Sequence, residues 1–107
     1  MDWVKNIQRC FDFDRVFYTQ HARVEMRNEV VGEIKDNEVY EAIRSVEVIQ
    51  EYPEDKPYPS ALMFGRTYKN RPLHILCAYS KDEDLTIVIT VYHPNPKLWI
   101  DYRRRRT

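Results

Sequence analysis

The sequence predicts an α+β fold in which two to three N-terminal helices pack on one face of a four-stranded antiparallel meander sheet. Helical periodicity dominates the first part of the chain, and strand-like alternation dominates the rest. The predicted strands are mostly joined by short turns, which favour antiparallel neighbours. A chain of 107 residues can form one core but not two, so a single domain is expected over residues 1–107.

Three helices are expected first. Apolar residues recur at helical spacing between residues 2 and 12, which predicts the first helix. Thr19 is a suitable N-cap for a second helix that carries residues 21–28. Asp36 or Asn37 can cap a third helix. The expected buried stripe of that helix is Val39, Ala42, Ile43 and Val46.

Four strands are expected next, over residues 46–49, 61–68, 73–79 and 85–92. With residues 81–84 as a turn, His74 lies opposite Thr90 and diagonally next to Tyr92. The face that carries these three residues is either the floor of a site or a half-solvated sheet face. The opposite face is expected to point into the core, with Leu73, Ile75, Cys77, Leu85, Ile87, Ile89 and Val91.

Arg66 joins the His74 face if a three-residue loop follows its strand. A two-residue turn at Asn70 and Arg71 would instead point Arg66 into the core. Burial of an unpaired guanidinium is costly, so the three-residue loop is favoured. A bulge near Gly65 would have the same result.

The charge of the chain is zero overall but unevenly distributed. Residues 1–60 hold 8 Lys and Arg against 13 Asp and Glu, and residues 61–107 hold 9 against 4. Four consecutive arginines, Arg103 to Arg106, are four of the nine basic residues in this second part, and residues 103–107 are expected to form a basic C-terminal tail. Such a block is either a solvated tail or a binding surface for phosphate or RNA.

Composition limits the class of protein. Hydrophobic residues at 43% exclude wholesale disorder. No apolar run approaches the roughly 18 residues of a membrane span, and the first residues lack the apolar block of a signal peptide. A cytoplasmic protein without a membrane partner is therefore expected. Cys10 and Cys77 are expected as reduced thiols. The histidines are far apart in sequence, so neither a metal site nor a cofactor is expected.

Motifs along nearly the whole chain resemble those of a known family. They are the helix segment Thr19-Gln20-His21-Ala22-Arg23-Val24-Glu25-Met26, then Tyr52-Pro53, Tyr58-Pro59, Leu62, Gly65 and Arg71-Pro72-Leu73-His74, and finally Thr90-Val91-Tyr92-His93-Pro94, Trp99 and Arg104-Arg105. In this order they are similar to the motifs of small bacterial and archaeal proteins grouped as domain-of-unknown-function family forty-two fifty-eight.

The resemblance implies a fold and a function. Proteins of this family look like distant relatives of the RelE and BrnT toxins, and they are often encoded beside a zinc-finger antitoxin of the YgiT type. RelE-like toxins are small metal-independent ribonucleases with helices packed on an antiparallel sheet. The resemblance therefore implies a toxin component that cuts RNA, such as ribosome-bound mRNA, and binds an antitoxin. The chain departs from many RelE-like nucleases in having Lys69 as the only lysine of its middle strands.

Metal-free RNA cleavage requires groups that move protons and groups that stabilise phosphate charge. We expect His74 and Tyr92 to handle protons, and Arg66 and Arg104 to stabilise the phosphate. Further RNA contacts are expected from Arg103, Arg105, His93, Arg23 and Arg27.

Other roles stay open for some of these residues. Arg23 and Arg27 can instead pair with acidic residues on their own or a neighbouring helix. His21 is expected to fix packing through a hydrogen bond rather than to perform chemistry. Trp3 and Trp99 are expected as core or dimer anchors.

Three functions are therefore considered: an RNA-cleaving toxin, a non-catalytic RNA-binding module, and a protein-interaction domain such as a homodimer. The apolar run at residues 87–91 bears on the third, because such a strand at a sheet edge needs a partner or a second copy to cover it.

Overall fold

The computed structural model describes residues 1–107 and shows three helices and a five-stranded mixed sheet. The strand order in this sheet is β1-β5-β4-β3-β2. The helices are α1 (Trp3–Asp12), α2 (Gln20–Arg27) and α3 (Asp36–Ile43). The strands are β1 (Val16–Tyr18), β2 (Glu47–Tyr52), β3 (Ser60–Arg66), β4 (Pro72–Ser80) and β5 (Leu85–Tyr92), followed by a hairpin of β6 (Trp99–Ile100) and β7 (Arg104–Arg105).

All three predicted helices are present in the structure. The Thr19 hydroxyl caps α2 by accepting a hydrogen bond from the Ala22 amide at 3.1 Å. The predicted cap of α3 was wrong, because Lys35 holds the N-cap position and its amide donates to the Glu38 carboxylate at 3.0 Å. The predicted buried stripe of α3 is confirmed: Val39, Ala42, Ile43 and Val46 are all buried.

The prediction of a four-stranded antiparallel meander is wrong, because β1 adds a fifth strand that pairs in parallel with β5. In this pairing Phe17 lies opposite Ile87, and Tyr18 lies opposite Val88. With only three residues between two helices, β1 is too short to show strand alternation in the sequence. Antiparallel pairing of β2 with β3, β3 with β4 and β4 with β5 accounts for the rest of the sheet.

Helix α2 covers the part of the β5 edge that does not pair with β1. The Thr19 hydroxyl donates to the Ile89 carbonyl at 3.1 Å. The Glu25 carboxylate accepts from the Val91 amide at 2.8 Å, and the Glu29 carboxylate accepts from the His93 amide at 2.7 Å. These side chains take the place of a neighbouring strand, so the chain itself covers the edge for which the sequence predicted a partner or a second copy.

The predicted register of the β4–β5 hairpin is wrong because the pairing is shifted and β5 contains a bulge at Ile89. Cys77 pairs with Val88, whereas Leu76 pairs with Thr90 and His74 with Tyr92. The bulge reverses the side-chain alternation within β5. Before it, Thr86 and Val88 are buried while Leu85, Ile87 and Ile89 are only partly buried, contrary to the prediction for those three residues. Val91 is buried as predicted.

The core lies between the helices and one face of the sheet, which we call the core face. Trp3, predicted as a core or dimer anchor, belongs to this core. Gly65 lets α3 approach β3 closely, because a Cβ there would lie 2.1 Å from the Ala42 carbonyl oxygen. Cys10 and Cys77 are buried and unpaired. None of the three helices is long and apolar enough to cross a membrane.

Candidate nucleic-acid interface

The other face of the sheet, which we call the open face, carries several of the residues that were predicted to form a site. Phe64, His74 and Tyr92 are paired across β3, β4 and β5, so they share this face. The direct pairing of His74 with Tyr92 brings these two rings closer than the predicted diagonal contact, with centroids 5.2 Å apart. No helix covers the open face at this position, because the β6–β7 hairpin lies there instead.

Residues 103–107 were expected as a basic tail, but part of this segment forms the second strand of the hairpin. Asp101 and Tyr102 turn the chain with φ angles of 53° and 62°, and the Ile100 carbonyl accepts from the Arg103 amide at 3.0 Å. Two central residues with positive φ are typical of a type I′ hairpin turn. This conformation is costly for residues other than glycine, so contacts elsewhere must hold the hairpin in place.

His74 provides those contacts from beneath the hairpin. Its Nε2 lies 2.6 Å from the Tyr102 carbonyl oxygen, and its Nδ1 lies 3.0 Å from the Tyr92 hydroxyl. A carbonyl only accepts, so we assign the proton to Nε2, and the Tyr92 hydroxyl then donates to Nδ1. The Trp99 ring meets the imidazole edge-on, with centroids 4.5 Å apart. Both ring nitrogens of His74 are therefore occupied.

Burial sets the charge state of this pair. His74 has no exposed surface, and this burial lowers its pKa although the bond to the Tyr102 carbonyl opposes the shift. Burial also raises the pKa of Tyr92 to about 12, with a further contribution from the charge of Glu25. The pair is thus neutral near pH 7. Because His74 is sealed, it can reach a ligand on the open face only through the Tyr92 hydroxyl.

Arg66 points to the open face, as predicted. Beyond its pairing with Pro72, the Thr67 amide donates to the Arg71 carbonyl at 2.9 Å, so residues 68–70 form the favoured three-residue loop, without a bulge at Gly65. Its guanidinium lies 5.3 Å from the centroid of the Phe64 ring and 5.4 Å from that of Tyr102. These are distances at which a cation contacts an aromatic face.

The arginines of the hairpin differ in their partners. Arg103 forms an ion pair with Glu47, with Nε and Oε1 2.5 Å apart. Arg104 and Arg105 form no ion pair within the chain. The Arg105 guanidinium lies 5.6 Å from the centroid of the Trp99 ring. The charges of Arg104 and Arg105 are therefore available to a ligand.

Two adjoining cavities extend from these arginines across the open face, and we call them together the groove. They measure about 390 and 360 Å³, and Tyr52 and Leu62 line both of them. The first is also lined by Ile49, Gln50, Trp99, Arg103, Arg104 and Arg105. The second is also lined by Asp55, Leu76, Thr90 and Tyr92.

Four residues with predicted or considered roles lie outside this arrangement. Arg23 forms an ion pair with Asp36 at the start of α3, and Arg23 and Arg27 line a separate cavity beside α2. His93 accepts from the Arg71 Nε at 3.4 Å, and burial lowers its pKa, with the charge of Arg71 adding to the shift. His21 is 68% exposed, so its expected packing role was wrong.

Tyr52, Asp55 and Tyr102 contribute to the open face but were not predicted. Tyr52 ends the edge strand β2, and Asp55 lies in the connection to β3. A tyrosine beside the prolines and a second tyrosine within the arginine-rich ending were visible signals in the sequence. Their significance depends on the hairpin folding back onto the sheet, which the sequence pattern did not indicate. No three His, Cys, Asp or Glu side chains come together in a way that could hold a metal ion.

Comparison with known proteins gives one match. The family model described as "Domain of unknown function (DUF4258)" matches residues 18–93, which extend from the end of β1 to the residue after β5. No curated protein and no solved structure matches the chain. The expected likeness to RelE toxins and the expected pairing with an antitoxin stay predictions.

Proposed function

We propose that this chain, which belongs to the DUF4258 family, binds single-stranded RNA along the groove of the open face. One observation carries this proposal: Arg104 and Arg105, which have no acidic partners, lie beside a groove lined by aromatic side chains. Proteins that bind single strands combine the same two elements, positive charge for the backbone and aromatic rings for the bases.

The arginines account for contacts with phosphate. A guanidinium offers a planar fork of donors that matches two phosphate oxygens. Arg104 and Arg105 lie next to each other on β7, which the hairpin holds against the open face. Arg103 is already paired with Glu47, so we assign it to holding the hairpin rather than to binding phosphate.

The aromatic side chains account for contacts with bases. Tyr52 is 39% exposed and lines both cavities of the groove, and Tyr92 lines the second cavity. Trp99 lines the first cavity, although its ring also packs on His74. Stacking of a base on an aromatic ring contributes about 1–3 kcal/mol and tolerates any base.

The test is binding of a fluorescent nine-nucleotide single-stranded RNA as a function of salt. For the Arg104→Ala/Arg105→Ala variant we expect at least about tenfold weaker binding at 0.1 M salt. The slope of log affinity against log salt should also fall by about 1.4, since each lost phosphate contact contributes about 0.7. Lys5→Ala/Lys81→Ala is the control, because it removes two exposed positive charges that do not line the groove. Equal losses in both variants, or no binding by the natural chain, would contradict the proposal.

A second candidate function is metal-independent RNA cleavage by a toxin. It is favoured by one observation: the Tyr92 hydroxyl donates to His74 Nδ1 at a distance of 3.0 Å, and the charge of Arg105 partly opposes the rise in the pKa of Tyr92 that burial causes. In this scheme Tyr92 exchanges a proton with the RNA and passes it to or from His74, while Arg105 stabilises the phosphate.

Cleavage is tested by incubating RNA with the protein in the presence of a chelator. If the scheme holds, Tyr92→Phe abolishes cleavage while RNA affinity changes less than threefold, because the ring and its stacking remain. Tyr58→Phe is the control, since it removes a hydroxyl that does not line the groove. If the natural chain leaves RNA intact even at excess protein, binding alone is the function. If Tyr92→Phe cuts RNA as fast as the natural chain does, the proton-transfer scheme is wrong. For the toxin role, expression should arrest growth and an adjacent antitoxin should relieve the arrest.

A further inference from the structure

The groove changes its chemistry along its length. Arg104 and Arg105 make one end basic, and Tyr52 contributes an aromatic wall that spans both cavities. Asp55 and Thr90 line the second cavity but not the first, and no arginine lines the second cavity. A ligand that matches this gradient has an anionic group at one end, a flat ring in the middle, and hydrogen-bond donors at the other end. A nucleotide within an RNA strand has these three parts in this order.

The Asp55 carboxylate is held in place but can still accept hydrogen bonds at both oxygens, because Ser60 uses only one of its lone pairs. The hydroxyl of the fully buried Ser60 donates to Asp55 Oδ2 at 2.6 Å, and the Asp55 amide donates to the Tyr52 carbonyl at 3.2 Å. The first bond orients the Asp55 side chain and the second fixes its backbone, while its Oδ1 has no partner within the chain. Nearby in the same cavity, the Thr90 hydroxyl also makes no hydrogen bond within the chain. Both groups are therefore unoccupied polar groups in the wall of the groove.

A carboxylate at this position distinguishes the four bases. Guanine presents two adjacent donors, N1–H and the N2 amino group, to an accepting carboxylate. Adenine and cytosine place a ring-nitrogen acceptor beside their amino group, and uracil flanks its N3–H with two carbonyl oxygens. A carboxylate oxygen repels those acceptors, so only guanine can offer Asp55 two donors without a competing acceptor.

We propose that the groove prefers guanine in single-stranded RNA, with Asp55 accepting hydrogen bonds from the N1–H and N2 amino groups of the base. The Thr90 hydroxyl is the donor available to the guanine O6 atom, and Tyr52 stacks on the ring. This inference rests on the proposed RNA-binding function and adds a base preference to it. Stacking and phosphate contacts alone would bind any sequence, whereas Asp55 supplies the discrimination.

The experiment compares three nine-nucleotide RNAs: all uridine, the same chain with a central guanosine, and the same chain with a central inosine, which lacks the N2 amino group. For the natural chain we expect the guanosine RNA to bind about tenfold tighter than the uridine RNA, with the inosine RNA in between. The Asp55→Asn variant should reduce the guanosine preference to less than about twofold. An asparagine oxygen can still accept from Ser60, so this variant retains the local bond.

Glu54→Gln is the matched control, because it removes the same charge from the neighbouring residue, which lines neither cavity of the groove. It should keep the full guanosine preference. If all three RNAs bind the natural chain with equal affinity, the base preference is wrong and the RNA-binding function stands. If none of them binds, the RNA-binding function itself is wrong. An Asp55→Asn variant that is folded by circular dichroism and retains the preference would remove Asp55 from recognition.

Discussion

The two faces of the sheet use the same alternating strands but are covered in different ways. The core face is covered by helices and buries a continuous apolar cluster that includes Met63, Ile75 and Val91. The open face is covered at one end by a short hairpin, which is held through His74 near the start of β4, and at the other end by the connection between β2 and β3, which lies beside Ala78 and Ile87. Apolar packing fills the space under the helices, whereas directed hydrogen bonds set the position of the hairpin.

The difference shows how a small chain can place charge beside an aromatic surface. Burial of an arginine without a partner is costly. An anchor made only of apolar side chains would therefore have to lie at a distance from Arg104 and Arg105. His74 is compact and neutral, and it satisfies a backbone carbonyl of the hairpin turn directly. The hairpin can therefore lie close to the sheet and still expose Arg104 and Arg105 to the groove.

The largest difference in stability is expected between two neighbouring positions of β4 whose side chains point to opposite faces of the sheet. Ile75 is fully buried on the core face, while Leu76 is half-buried in the groove. Ile75→Ala should lower the free energy of unfolding by about 4 kcal/mol, because it leaves a cavity in the core. Leu76→Ala should lower it by about 1 kcal/mol, because solvent can enter the open groove. Urea unfolding measures both, and equal losses would mean that the open face is covered in solution.

The next largest effect is expected at His74. His74→Ala removes two hydrogen bonds and the ring on which Trp99 packs. We expect the free energy of unfolding to fall by about 3 kcal/mol. Tryptophan fluorescence should shift to longer wavelength as Trp99 is released, whereas Trp3 stays in the core.

Limited digestion with trypsin separates this effect from general destabilisation. The natural chain should resist cleavage after Arg103 and Arg104, and His74→Ala should be cleaved there before the rest of the chain is digested. Ile75→Ala serves as the destabilised control, in which the hairpin anchor is intact. Early cleavage in the control but not in His74→Ala would contradict the assigned role of His74.

A smaller effect is expected when the pH is lowered. Burial lowers the pKa of His74 in the folded chain below its usual value of about 6.5, so the unfolded chain binds the proton more readily. The stability contributed by neutral His74 is complete above about pH 6.5 and is lost as the pH falls through the folded pKa. His93 has the same direction of shift and adds to this loss.

Melting temperatures at pH 7.5 and 5.0 measure this dependence. His74→Gln should reduce the difference in melting temperature between the two pH values, whatever its own stability. His21→Gln is the control, because the His21 side chain is 68% exposed. An unchanged pH dependence in His74→Gln would show that His74 is not held neutral by burial.

The smallest effect is expected at Glu25, which covers the edge of β5. Burial raises the pKa of Glu25, so folding makes its charged form less favourable, although the bond from the Val91 amide opposes this shift. Glu25→Gln keeps an acceptor and removes the charge, so stability should change by less than about 0.5 kcal/mol. Glu25→Ala leaves the amide without a partner and should cost about 1–2 kcal/mol. Urea unfolding at pH 7 compares the two, and equal losses would show that the charge itself is required.

The sequence by itself determined the three helices, four of the strands and the placement of Arg66 on the same face as His74. These features depend on residues a few positions apart, through side-chain periodicity, N-capping and the cost of burying a guanidinium.

Only the tertiary structure decided that β1 pairs with β5, that β5 bulges at Ile89, and that the arginine-rich ending folds back over His74. Each of these features joins parts of the chain that are distant in sequence, or shifts a register by a single residue. Local periodicity carries little information about such choices, because they are settled by the packing and hydrogen bonding of the assembled fold. For the same reason, the sequence identified His74 and Tyr92 as neighbours but did not show that the hairpin buries His74 completely.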